Sequence, residues 1–307
     1  MKTVRKIAAI MTIFAVVGAL SATGLTQLNS REYKILLKPQ KFVDRQAGYR
    51  AVWNIAKAVA ESLGIEVREA RRPFREIRRK VYFLDTPDHD LRKHGYVLRV
   101  RVKYNGDKPR KEYNLTLKYR STDFEKSSQA DITVALGGYK TKAKFEADIT
   151  PKKDSLGTLR FIYSKSLKVK KLDFNPGNTL GDYAKIFPVL GKLGIPLDKK
   201  LEIVNGFIVD ERKVSPGMLV FGGGINGMVD ITTWYEFGDT SEPFVAEFSY
   251  DFRIRSHNEL VDQGIENATR YFKALQFALK DWYYPEGTKT GYVYSHRPKI
   301  KEKAKEK

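Results

Sequence analysis

The chain contains no cysteine. Disulfides, thiolate zinc sites and cysteine nucleophiles are excluded together. Histidine is scarce: His89, His94, His257 and His296 are the only four, and they show no metal-ligand spacing on one helix face. Gly222, Gly223 and Gly224 form a glycine run, but no GK[ST] follows, so they read as a turn and not as a phosphate loop. No repeat of fixed period and no break in composition divides the 307 residues into separate domains. The uncharged run Ile7 to Leu20 is short for a membrane span.

That run follows Lys2, Arg5 and Lys6 and leads into the small residues Ala19 and Ser21. This three-part form predicts a secretory signal over residues 1–22. Cleavage would export the protein to the periplasm or the extracellular space and leave no membrane span. An uncleaved N-terminal anchor is the alternative. A lipoprotein is excluded, because no cysteine follows the run.

What the chain does have is positive charge: 56 Lys and Arg against 36 Asp and Glu, a net charge of +20. A surplus of this size points to anionic partners. Hydrophobic residues at 42% and aromatics at 12% require a folded core.

Strand periodicity dominates. In REYKILLKPQKF, Glu32, Lys34 and Lys38 alternate with Tyr33, Ile35 and Leu37. Leu98, Val100 and Val102 alternate with Arg99, Arg101 and Lys103, and Leu115 and Leu117 with Thr116 and Lys118. KFEADIT carries Glu146 and Asp148 on one face, and further strands follow from Leu201 to Phe252, bearing Arg212, Glu247 and Asp251. Helical spacing marks Ala47 to Leu63, Thr179 to Leu193 with Thr179 as cap and Pro188 as a kink, and Ser256 to about Trp282 with Ser256 and Glu259 as a capping box. The expected class is α+β: a mainly antiparallel closed β-tunnel of about eight strands over residues 31–283, with flanking helices and a basic tail over 284–307. Closure removes exposed sheet edges and turns the alternating charges inward together.

On one half-buried strand a charged face simply meets water. The pattern gains meaning because almost every strand carries both signs. Arg and Lys converging in a bore can hold a chain of phosphates. Carboxylates among them suit a hard cation, Mg²⁺ or Mn²⁺, standing between acid and phosphate. Each carboxylate reads equally as the partner of a neighbouring arginine.

The stretch from Val81 to Arg101, VYFLDTPDHDLRKHGYVLRVR, resembles the signature of the CYTH, or triphosphate tunnel, family. Lys118, the Glu146–Asp148 pair, Arg212 and the strand with Glu247 and Asp251 extend the resemblance in order. It implies an eight-stranded tunnel and metal-dependent chemistry on triphosphate compounds. Lys34, Lys38, Arg99, Arg101, Lys118 and Arg212 would hold the phosphates; Glu32, Glu146, Asp148, Glu247 and Asp251 would hold the metal. The family's opening strand reads Glu-x-Glu-x-Lys, and here Lys34 stands in place of the second acid. An ammonium cannot ligate a metal. Two functions are open: an exported metal-dependent phosphohydrolase of triphosphate or polyphosphate, or a non-catalytic binder of a phosphate-rich anion on the same fold. A nucleic-acid binder ranks last, since the aromatics alternate as core residues and form no stacking platform.

Overall fold

The computed structural model describes residues 26–298, without 154 and 286. The signal segment 1–22 lies outside the described residues.

Twelve strands form one sheet. They are β1 (Ser30–Leu37), β2 (Glu66–Glu69), β3 (Ile77–Asp85), β4 (Tyr96–Asn105), β5 (Lys108–Ser121) and β6 (Thr141–Lys152). After these come β7 (Ser155–Leu172), β8 (Glu202–Ile203), β9 (Val209–Val214), β10 (Gly217–Gly222), β11 (Ile225–Glu236) and β12 (Val245–Arg253). Nine of them close a barrel in the order β12-β1-β6-β7-β5-β4-β3-β9-β11, with β11 pairing back to β12. β10 and β2 extend from β11 outside the ring, and β8 pairs with β3. All neighbours in the ring are antiparallel except β1 and β6, which are parallel. Once round a closed barrel the strand direction must return to its start, so reversals come in even numbers. Nine pairings therefore cannot all be antiparallel. The barrel is mixed and has nine strands, which corrects the expected mainly antiparallel tunnel of about eight.

Among the described residues there are six α-helices: α1 (Arg45–Ser62), α2 (Asp90–Lys93), α3 (Phe124–Gln129), α4 (Leu180–Ala184), α5 (Glu259–Ala278) and α6 (Lys289–Ser295). Asp44 caps α1 by accepting from the Ala47 N–H, and Gly64 at φ +68° follows its end as expected of a left-handed stop. The cap of α5 is Asn258, whose Oδ1 accepts from the Val261 N–H, and not Ser256. Thr179 caps α4 in a reciprocal box with Asp182, but Pro188 begins a separate 3-10 turn instead of kinking one long helix. None of the helices among the described residues is long and apolar enough to cross a membrane.

The main apolar cores lie outside the barrel wall. Tyr33 and Ile35 of β1 and Phe248 and Tyr250 of β12 pack under α1 and α5, where Tyr33 stacks on Tyr250 at 4.9 Å. Leu98, Val100, Leu115 and Leu117 pack under Leu180, Phe187 and Leu190. Each such side chain contributes about 1.5–3 kcal/mol on full burial. Slipping a strand by one residue would expose that face and bury its charges against the helices, so the register is fixed. The alternate residues of the same strands face the bore.

A candidate anion-binding tunnel

On β1 the inward residues are Glu32 and Lys34; the register sets Glu32 opposite Asp251 of β12 and opposite Asp148 of β6. The Lys34 ammonium lies 2.9 Å from Glu32 and 2.7 Å from Asp148. Asp148 also receives Lys118 at 3.1 Å and Arg120 at 2.9 Å. Glu146 receives Lys118 and Lys144, both at 2.7 Å, and Lys144 reaches on to Asp251 at 3.2 Å. Burial works to discharge each of these groups. For Asp148 the charges of Lys118, Lys34 and Arg120 outweigh it and hold the carboxyl well below its ordinary range. For Lys34 the carboxylates of Asp148, Glu32 and Glu247 outweigh burial and raise the ammonium's pKa.

A second cluster centres on Glu211 of β9, which is 1% exposed. Its oxygens accept from Arg79 at 2.7 Å, from Arg101 at 3.3 Å and from the Trp234 indole at 3.0 Å.

Between these clusters the lining is short of acid. Arg99 shares the inward face of β4 with Arg101, yet has no ion-pair partner among the described residues, and its buried Nε finds no hydrogen-bond acceptor. Burial, then the nearby Arg101, push its pKa down to about 9. Lys168 of β7 likewise has no ion-pair partner among the described residues, and burial, then Arg101 and Arg99, push it down to about 7. A cavity of about 330 Å³ opens at this end of the barrel, lined by Arg79, Arg101, Lys103, Arg110, Lys168 and Lys170 among others.

The opposite end is partly covered by α6, beside which a cavity of about 390 Å³ reaches Lys34, Arg120, Asp148 and Glu247. Val293 and Tyr294 of α6 are buried against the inward-facing Val81, Phe83 and Trp234. The Tyr294 hydroxyl donates to Asp85 at 2.9 Å, and Asn205 donates to the carbonyls of Val293 and Tyr294 at 3.0 Å. Asp85 also accepts from the backbone N–H groups of Thr86, Leu91 and Arg92, so the Asp-Thr turn of the sequence signature anchors α2. Lys289 pairs with Glu247 at 2.5 Å. Residues 287–298, placed by the sequence in a basic tail, thus include a helix seated in the barrel end.

The fold therefore gathers Glu32, Lys34, Arg99, Arg101, Lys118, Glu146 and Asp148 along one bore, with Asp251 bound to Lys144 and Glu247 to Lys289. Two expected residues fall elsewhere. Lys38 lies beyond the end of β1 and is exposed. Arg212 points to the opposite face of β9 from Glu211: it pairs with Asp210 at 2.8 Å and lies 3.9 Å from Glu76, the partner of Arg45 on α1. Sequence reasoning missed Arg79, Arg120, Lys144, Lys168, Glu211 and Lys289. Arg120 and Lys144 stand two residues from Lys118 and Glu146, so the same alternation could have found them.

Glu32, Glu146 and Asp148 each offer an oxygen, all within 4.8 Å of one another. As a divalent-metal site this triad does not fit as it stands, because the Lys34 ammonium lies between Glu32 and Asp148 and Lys118 and Lys144 hold Glu146.

No family model and no curated protein matches the chain in sequence. Solved structures do resemble it. The Hippeastrum adenylyl cyclase candidate HpAC1, described with a dominant triphosphatase activity, aligns at TM-score 0.42 and 13% identity over 88% of this chain and 97% of its own. A Bacillus halodurans adenylate cyclase candidate aligns at TM-score 0.39 and 12% identity over 85% and 97%. The Pyrococcus horikoshii protein PH1819 aligns at TM-score 0.33 and 12% identity over 82% and 99%. Likenesses at these scores carry no weight for function; this chain's own side chains carry it.

Proposed function

We propose that the barrel binds a linear phosphate anion of the triphosphate or polyphosphate class, held by Arg99, Arg101, Lys118 and Lys168. The observation that carries this reading is Arg99: a guanidinium facing the bore, short of an acid partner, with its Nε unsatisfied. A buried donor left unpaired costs about 1–3 kcal/mol. A phosphate would satisfy it with paired charge-assisted hydrogen bonds. The basic cavity beside Arg101 and Lys168 suits a chain longer than one phosphate.

Binding suits the site better than metal-dependent hydrolysis, since the acids that would hold Mg²⁺ or Mn²⁺ are neutralised from within the protein. The unit is the barrel domain of residues 31–283 together with α6, delivered by a cleaved leader over 1–22 to an exported location. Calorimetry with tripolyphosphate on the protein lacking residues 1–22 is the test. Measurable binding that weakens about tenfold or more in Arg99→Ala supports the reading. Equal affinity in the two proteins removes Arg99 from the site and overturns it.

A further inference from the structure

The Lys34 ammonium is held by two carboxylates from different strands, 2.9 Å from Glu32 on its own strand and 2.7 Å from Asp148 on β6. Asp148 is 1% exposed and Lys34 16%. The two Glu146 oxygens and the second Asp148 oxygen are held by Lys118, Lys144 and Arg120. With Asp251, 3.2 Å from Lys144, four carboxylates thus face four cations. A divalent ion entering this cluster would need oxygens at about 2.0–2.1 Å in the space that the ammonium takes. It would also give a balanced cluster a positive surplus.

We propose that Lys34 is a tethered cation that takes the place of a divalent ion among Glu32, Glu146 and Asp148. The cluster then binds no free divalent metal, and the barrel takes its phosphate anion uncomplexed, through protein cations alone. The ligand half of this inference rests on the proposed function; the metal half does not. Exchanging Lys34 for an acid would leave five carboxylates against three cations, with the oxygens free to converge on a metal.

The probe is Mn²⁺, followed by electron paramagnetic resonance on the phosphate-free protein. The wild type is expected to leave Mn²⁺ in solution, while Lys34→Glu takes up one ion per chain and loses it again when Glu146→Gln is added. Lys34→Gln, which releases the same carboxylates with less added charge, serves if Lys34→Glu fails to melt cooperatively. One Mn²⁺ bound by the wild type and lost in Glu146→Gln overturns the proposal, and so does a folded Lys34 variant that takes up none. In a second arm, wild-type affinity for tripolyphosphate is expected to agree within about twofold with EDTA and with Mn²⁺ counted as free ligand; a fall of about tenfold in EDTA overturns it. If tripolyphosphate fails to bind under every condition, the proposed function fails while the Mn²⁺ result still decides the role of Lys34.

Discussion

Arg99 and Arg101 leave the same face of β4, but Arg101 reaches Glu211 at 3.3 Å while Arg99 has no acid partner among the described residues. Two substitutions of the same type should therefore part company. Arg99→Ala should weaken tripolyphosphate binding about tenfold or more and leave the melting temperature unchanged or higher, because it removes an unpaired charge. Arg101→Ala should weaken binding and also destabilise by about 1–3 kcal/mol, since Glu211 keeps only Arg79 and Trp234. Calorimetry together with thermal melts separates the two effects.

Lys168 sets a pH dependence. Its folded pKa, near 7, lies below the unfolded value, so the folded state resists its charge. The penalty is fully present below pH 7 and fades as pH rises toward the unfolded pKa. Lys168→Met should therefore stabilise the ligand-free protein at neutral pH by about 1 kcal/mol, roughly 2 °C in Tm, while weakening anion binding. The groups facing Lys168 are Arg101, Arg99, Lys142 and Lys144, all cations, so a bound phosphate chain should pull its proton on. At about pH 8 binding should take up a proton, visible as heat that varies with the buffer's ionisation enthalpy and reduced in the variant.

The helix at the barrel end makes a stability prediction. Lys289→Ala leaves Glu247 buried without its ion-pair partner. With Lys289 partly exposed, the cost should be about 1–2 kcal/mol, less than for a fully buried pair. Urea melts measure it, and an unchanged midpoint would mean that α6 is not held by this contact.

Lys38 and Arg212 serve as negative controls. Lys38→Ala and Arg212→Ala should each leave tripolyphosphate affinity within about twofold of the wild type, since neither side chain faces the bore. A large loss in Arg212→Ala would show that the face assignment of β9 is wrong.

Much of the site was legible because period-two alternation ties a side chain's face to its neighbours. Leu98 and Val100 had to be buried, so Arg99 and Arg101 had to point the other way. The same logic failed on β9, where Asp210, Glu211, Arg212 and Lys213 put charge on both faces and the two apolar residues, Val209 and Val214, lie on opposite faces. It also missed β7, whose centre places Ser164 near Asp148 on one face and buries Lys165 against the Ser128 carbonyl on the other. Closure at nine strands, and with it the parallel pairing of β1 and β6, depends on long-range pairing that no local pattern reveals. Lys289 arrives from beyond the last long helix, where neither periodicity nor spacing singles it out.

The most direct test is a crystal structure of the protein grown with tripolyphosphate and EDTA. The phosphate chain is expected inside the barrel, its oxygens within hydrogen-bond distance of Arg99 and Lys168, with the Lys34 ammonium still between Glu32 and Asp148. An anion seated on the outer surface, or held in the bore only through a divalent ion that displaces Lys34, would contradict the account.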